Sequence, residues 1–395
     1  MAIAIFGGTF DPIHIAHENI VKEASKLNEI RKVIVIPAGN PPHKTDKWVS
    51  FASYRLQMTE IALAGLKIVK VSRYEIKRKN KSYTLKTIKH FKKKYNDEKI
   101  YLIIGGDSFF SFEKWYKFED ILKIATLLVV ERPGEDGNLN KHKKYLENKY
   151  SANVEFLKME TQDISSTELR EKLLKKDYDL EGINPKVLNY IKQNKIYRKK
   201  RDLNKIFSAE QIKELREYER ILFSLLSTYR VGHCVNVMYK AIDIAEIMGE
   251  DLFTAAVAGL LHDSAKEIKP SDYQDFLDKA DASYVEIDKI THGPLAAYLL
   301  EPMFGINDEN IYNSIYYHST LRGDLSNLDA IVYLADKTEP ARKYNGVKKI
   351  RKLIKKNDIK EALLLSLKLN ADNLANNRQK AHKNSVAAYK TIKNM

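Results

Sequence analysis

The stretch Gly7-Gly8-Thr9-Phe10-Asp11-Pro12-Ile13-His14-Ile15-Ala16-His17 decides how the first half of this 395-residue chain is read. The apolar run Ile3-Ala4-Ile5-Phe6 before it has the pattern of a buried strand, and residues from Ile15 onward can continue as helix. Strand, glycine turn and helix start leave free backbone N–H groups at the positive end of a helix dipole, an arrangement that suits an anion. His14 and His17 are three apart and so point together into whatever the turn holds. Two other phosphate loops are excluded. No Gly-Lys-Ser/Thr ending follows, as a P-loop requires, and no third glycine follows, as a dinucleotide fingerprint requires.

Working outward, strand-like runs alternate with helical patterns: Lys32–Ile36, Ile68–Val71, Ile100–Ile104 and Leu127–Val130. Several lack polar alternation, as expected of strands covered on both faces. This order predicts an α/β, Rossmann-like open parallel sheet with ligands beyond the strands' carboxyl ends. The second half carries helical spacing at Tyr218–Tyr229, Val235–Met248, Leu252–Leu261, Leu295–Met303 and Ile359–Leu369, and reads as an all-α bundle. The charged stretch Ile196–Asp202 is the best boundary. The expected domains are 1–198 and 209–395, with a linker over 199–208.

Composition narrows the function classes. One cysteine, Cys234, excludes intramolecular disulfides and thiolate zinc clusters. The absence of a membrane-length apolar run or a signal segment leads to the expectation of a cytoplasmic protein without a membrane partner. The formal charge of +15 is concentrated in residues 1–200, which hold 39 Lys+Arg against 25 Asp+Glu. Much of the excess lies between Lys77 and Lys99, where Lys89, Lys92, Lys93 and Lys94 fit the solvent face of one helix. This charge is read as solvated surface that helps attract phosphorylated substrates, not as a nucleic-acid interface. Oligomeric state is left open.

The opening stretch resembles the signature of nucleotidylyltransferases with a His-x-Gly-His motif, specifically nicotinate mononucleotide adenylyltransferase. Ala16 stands where that family usually has glycine and narrows the space by one methyl. Four further segments match in order. Pro41-Pro42-His43-Lys44 offers a mobile cation, Lys44. Ser82-Tyr83-Thr84 precedes a helix that Thr84 would cap; in the family this loop contacts the nicotinate ring. In Gly105-Gly106-Asp107-Ser108, Asp107 would hold a ribose hydroxyl or cap the next helix. Ile164-Ser165-Ser166-Thr167-Glu168-Leu169-Arg170 has capping-box spacing between Ser165 and Glu168.

The resemblance implies substrate binding by Gly7, Gly8, Thr9, Phe10, Lys44, Thr84, Gly105 and Asp107. It also implies stacking of Trp115 on the pyridine ring and binding of the ATP phosphates by Ser165, Ser166, Thr167 and Arg170. The implied reaction joins ATP, brought with Mg²⁺, to nicotinate mononucleotide, with His14, His17 and Arg170 neutralising charge on the α-phosphate. The related pantetheine-phosphate enzyme is the competing reading, against which Pro-Pro-His-Lys, Ser-Tyr-Thr and Ile-Ser-Ser-Thr speak.

In the second half an apolar helix runs straight into His262-Asp263, which would bury a charge unless a cation or partner accepts it. His233, His292, His318 and Asp336 complete a spread of ligand-type residues. The order resembles the HD phosphohydrolase superfamily, and more closely the bacterial HD-type symmetrical diadenosine tetraphosphate hydrolases. The matching segments are Leu261-His262-Asp263, Thr291-His292-Gly293-Pro294, Tyr317-His318-Ser319, Leu334-Ala335-Asp336-Lys337 and Glu339-Pro340-Ala341-Arg342. Six N/O ligands without thiolate suggest two ions, iron or manganese, over a structural zinc. Asp263 would bridge, with His233, His262 and Asp336 on one ion and His292 and His318 on the other. Lys266 and Arg342 would hold outer phosphates. The implied substrate is diadenosine tetraphosphate, cleaved to two ADP. Another phosphorylated nucleotide, or a metal-bound regulatory or RNA-binding role, stays open.

Overall fold

The computed structural model describes residues 1–39, 49–79, 82–96, 98–131, 136–159, 164–198 and 201–395. The chain divides into two compact units. One comprises Met1–Lys192 with Ile196–Lys199, and the other Gln193–Lys195 with Lys200–Met395.

The first unit is built on six parallel strands: β1 (Ala2–Gly8), β2 (Ile30–Pro37), β3 (Val69–Val71), β4 (Lys99–Gly105), β5 (Thr126–Glu131) and β6 (Val154–Lys158), in the order β3-β2-β1-β4-β5-β6. β1 lies inside the sheet, with Ile5 opposite Ile34 on one side and Leu102 on the other. These residues are almost wholly buried, which accounts for strands that read as unbroken apolar runs; each such side chain contributes roughly 1.5–3 kcal/mol of burial. Strand order reverses between β1 and β4, so a crevice opens past their carboxyl ends. On the helix Thr84–Lys94, Leu85, Ile88 and Phe91 face the core. Lys89, Lys93 and Lys94 are exposed and Lys92 partly so, in line with a solvated basic face.

Two sequence readings change here. β6 was not anticipated. The end of the first unit, read as charged and poor in apolar anchors, buries both Ile196 and Tyr197.

The described residues of the second unit carry helices and no strand. The stretch expected as a linker holds a short 3-10 turn, Leu203–Lys205, with Leu203 and Phe207 buried. The helical pattern read over Tyr218–Tyr229 is two helices, Ala209–Leu225 and Thr228–Met248. Ser227 caps the second by accepting the Arg230 N–H, which ends the first. The helix Leu252–Leu261 matches its sequence pattern. Its Gly259 lies so close to Thr228–Met248 that an added Cβ would sit 2.9 Å from the Ala241 Cβ. This close approach brings His262 toward His233. No helix among the described residues is long and apolar enough to cross a membrane.

Candidate active sites

In the first unit a cavity of about 680 Å³ opens at the β1/β4 crevice, lined by Gly7, Gly8, Thr9, His14, Ala16, His17 and Gly105. His14 is the N-cap of the helix Ile15–Ala24 and His17 its third residue. Their rings are 3.7 Å apart, and the His14 backbone N–H points to His17 Nδ1 at 3.4 Å. Burial pushes His14 down to about 4, toward the uncharged imidazole. Phe10, with φ of 50°, is buried and packs edge-on against His17 at 5.1 Å.

Across the cavity stand Thr84, Trp115, Tyr83 and Tyr116, with the two tyrosine rings 4.7 Å apart. Thr84 is not the helix cap: Tyr83 holds that position without a side-chain bond. Asp107 is exposed in the first turn of Gly106–Phe110, whose N-cap is Gly105, so it does not cap that helix. Gly105 and Ser108 line the cavity.

The predicted cap at Ser165 is present, its hydroxyl accepting the Glu168 N–H at 3.1 Å. The same helix start is tied to the opening loop. Ser166 Oγ donates to the Pro12 carbonyl at 3.1 Å, and Arg170 donates to the Asp11 carbonyl at 2.6 Å and to Thr167 Oγ1 at 3.2 Å. Lys44 lies outside the described residues.

In the second unit the side chains read as ligands converge. His233 lies on the helix Thr228–Met248 and His262 ends Leu252–Leu261, followed at once by Asp263. His292 lies on Asp288–Tyr298 and Asp336 on Asn327–Thr338. His318 follows Glu309–Tyr316. Asp263 Oδ1 is 3.1 Å from His292 Nε2 and 3.6 Å from His318 Nε2; its Oδ2 is 3.7 Å from both His233 Nε2 and His262 Nε2. Asp336 Oδ1 is 3.3 Å from His233 Nε2. Two groups of possible ligand atoms result, His233 with His262 and Asp263, and Asp263 with His292 and His318. Gly293 makes the second approach possible, since a Cβ there would meet the Tyr316 carbonyl at 2.8 Å and the His318 ring at 3.3 Å.

The donor chemistry fits a cation. His262 Nδ1 faces the Gly259 carbonyl at 2.9 Å and His318 Nδ1 the Ile315 carbonyl at 2.7 Å. A carbonyl can only accept, so Nδ1 carries the proton and Nε2 presents a lone pair to the carboxylates. His262 Nε2 is buried without a hydrogen bond. Burial pushes His262 down to about 3 and His292 to about 4. Lone pairs and carboxylate oxygens aimed at one another are stable together only around positive charge.

Lys266 Nζ lies 3.0 Å from His292 Nδ1, and Arg342 pairs with Asp336. The single cysteine, Cys234, is buried directly after His233, and burial pushes its thiol well up.

Residues 5–172 match the Cytidylyltransferase-like family and residues 230–341 the HD domain. A Mycoplasma genitalium protein named "Probable nicotinate-nucleotide adenylyltransferase/Ap4A hydrolase" is 32% identical over 93% of this chain and 97% of its own length. The protein of the same name from Mycoplasma pneumoniae is 30% identical over 92% of this chain and 97% of its own. The chain belongs to this two-domain family. A Clostridium tetani protein named "Probable nicotinate-nucleotide adenylyltransferase" is 39% identical over 49% of this chain and 98% of its own length. The HD domain of this family implies a divalent metal, and the histidine and aspartate groups described above are of the kind that bind one.

Several members of the two sites escaped the sequence reading. Arg230 donates to Asp263 Oδ2 at 3.0 Å, and Glu339 Oε1 is 3.5 Å from His233 Nδ1. Arg230 precedes His233 by one helical turn, a spacing that pointed to it. Tyr197, whose hydroxyl donates to Asp11 Oδ1 at 2.6 Å, had no such signal.

Proposed function

We propose that this chain carries out both reactions named for its family. In the first unit the phosphate of nicotinate mononucleotide attacks the α-phosphorus of ATP, the bond to the β-phosphate oxygen breaks, and nicotinate adenine dinucleotide and pyrophosphate leave. The attacking phosphate is already anionic, so no general base is required. Rate enhancement then rests on alignment and on stabilising charge at the α-phosphate. His14 and His17 supply N–H donors, and Arg170 with the helix start at Ser165–Thr167 supplies the positive field for phosphates carried with Mg²⁺. Gly7–Phe10, Gly105, Asp107 and Lys44 are assigned to the nucleotides, and Thr84 and Trp115 to the pyridine ring. The observation that carries this reading is the pair of adjacent histidine rings lining a nucleotide-sized cavity at the strand reversal.

In the second unit we assign His233, His262 and Asp336 to one divalent ion and His292 and His318 to another, with Asp263 between them. Iron or manganese suits this donor set. Bound ions there supply Lewis acidity at the phosphate under attack and an acidified water. Lys266 and Arg342 hold flanking phosphates of diadenosine tetraphosphate, which leaves as two ADP. The arrangement of both Asp263 oxygens, each facing its own pair of imidazoles, supports this reading most directly. We infer a cytoplasmic setting for both reactions, in keeping with nucleotide substrates.

The test is chromatography of products from the purified full chain. Nicotinate adenine dinucleotide should form from ATP and nicotinate mononucleotide, and two ADP should form from the tetraphosphate after reconstitution with Fe²⁺ or Mn²⁺. Release of ATP plus AMP, or turnover only of a different nucleotide in a substrate screen, would overturn the second assignment.

A further inference from the structure

The turn after Asp336 presents two groups to the metal-type cluster. Glu339 lies beside His233 Nδ1, and its Oε2 accepts the Ala341 N–H at 2.7 Å. Arg342 pairs with the Asp336 carboxylate and donates from Nε to the Asp336 carbonyl at 3.0 Å. The turn also ends the helix Asn327–Thr338, where backbone carbonyls lack helical partners.

One side chain gathers those carbonyls. Arg351, on the helix Val347–Lys355, donates from Nε to the Thr338 carbonyl at 3.0 Å. Its Nη2 reaches the carbonyls of Glu339 at 2.5 Å, Arg342 at 3.0 Å and Pro340 at 3.4 Å. A planar fork of fixed N–H directions can hold several acceptors at once, which an ammonium on a flexible stem cannot reproduce. The clasped carbonyls belong to the same residues, Glu339 and Arg342, whose side chains point at His233 and Asp336.

We propose that Arg351 is a positioning residue of the hydrolase site. It fixes the 338–342 turn so that Glu339 sets the orientation of the His233 ring and Arg342 stands ready for substrate phosphate. It touches neither metal nor substrate and acts through those two side chains, as outer partners of metal ligands do. This inference rests on the hydrolase reading of the second unit.

The test uses the full chain carrying Arg351→Ala, Arg351→Lys, Arg342→Ala, and Arg351→Ala with Arg342→Ala. Three quantities are measured: Mn²⁺ binding by calorimetry, ADP release from diadenosine tetraphosphate, and dinucleotide formation by the first unit as a control for intact protein. Arg351→Ala is expected to weaken Mn²⁺ binding and lower ADP release by about 10–100-fold each, with dinucleotide formation unchanged. Arg351→Lys should recover only part of the loss. The double variant should release ADP no more slowly than Arg351→Ala alone, because that change already removes the contribution of Arg342.

Losses that multiply in the double variant, or wild-type Mn²⁺ binding in Arg351→Ala, overturn the proposal, since a purely stabilising arginine predicts both. Should Arg351→Ala fail to fold, Arg351→Lys carries the same measurements, and full Mn²⁺ affinity in it is the overturning result. A wild-type chain that binds Mn²⁺ but releases no ADP would count against the substrate, while the Mn²⁺ measurements still decide the role of Arg351.

Discussion

Asp263 Oδ1 lies 3.1 Å from Nε2 of His292, although the two are 29 positions apart with three short helical segments between them. The other Asp263 oxygen is turned toward His233 and His262. One carboxylate thus joins two pairs of imidazoles, and its removal should disable both halves of the cluster together. For Asp263→Asn we expect loss of ADP release by at least ~100-fold and loss of tight divalent-metal binding, measured by elemental analysis after dialysis. Dinucleotide synthesis by the first unit should stay within about twofold of wild type, because the two units have separate cores.

Gly293 offers a test that leaves every ligand in place. A methyl at this position would meet the Tyr316 carbonyl at 2.8 Å and push the His318 turn away from His292. Gly293→Ala should therefore cost roughly 1–3 kcal/mol by overpacking and weaken metal binding. Thermal melting and metal titration of this variant check both effects.

His17 should matter to turnover more than to affinity. A donor aimed at charge that develops only during transfer contributes little to the ground-state complex. For His17→Ala we expect kcat for dinucleotide formation to fall by about 10²–10³, with KM for ATP changed less than about fivefold. Initial-rate kinetics check this, and a rise in KM at unchanged kcat would remove His17 from its assigned role.

Lys240 gives a pH prediction away from both sites. Burial pushes its ammonium down to about 8. Asp243 on the same helix opposes that shift, and Lys195, Arg351 and Lys355 add to it. In the unfolded chain the group returns to its ordinary value of 10.5. Between these values the unfolded state binds more protons, so this residue's contribution to stability rises with pH from about 8 upward. Below that window both states are charged and the folded chain bears the full penalty. Lys240→Met should raise Tm at pH 7 by about 2–4 °C, and the gain should shrink as pH approaches 10. Melting curves at the two pH values check it.

Much of this architecture is written in local pattern, and the exceptions have physical causes. β1, β2, β4 and β5 are legible because strands buried on both faces need unbroken apolar runs. β6, Val154-Glu155-Phe156-Leu157-Lys158, pairs only with β5 at the sheet edge and reads as a short mixed stretch. The helix Asp288–Tyr298 begins well before the apolar run at Leu295, because Gly293 and Pro294 interrupt the pattern. The ligand residues of the second unit could be picked out because five such segments follow one another in the order of the HD superfamily, where any one histidine alone would read as structural. Arg351 on the 338–342 turn and Tyr197 on Asp11 could not, because each contact is made only when distant segments meet. Thr84 lies one residue past the cap of its helix, Tyr83, and the capping alternative for Asp107 falls two residues past Gly105, a normal margin for helix ends.

Cys234 has a practical consequence. It is the chain's lone thiol, it follows His233 directly, and it is fully covered. Alkylating reagents can reach it only while the helix Thr228–Met248 is momentarily unpacked, so its labelling rate is a stopwatch for breathing of the hydrolase centre. The native chain thus comes with a built-in reporter that needs no engineered dye site.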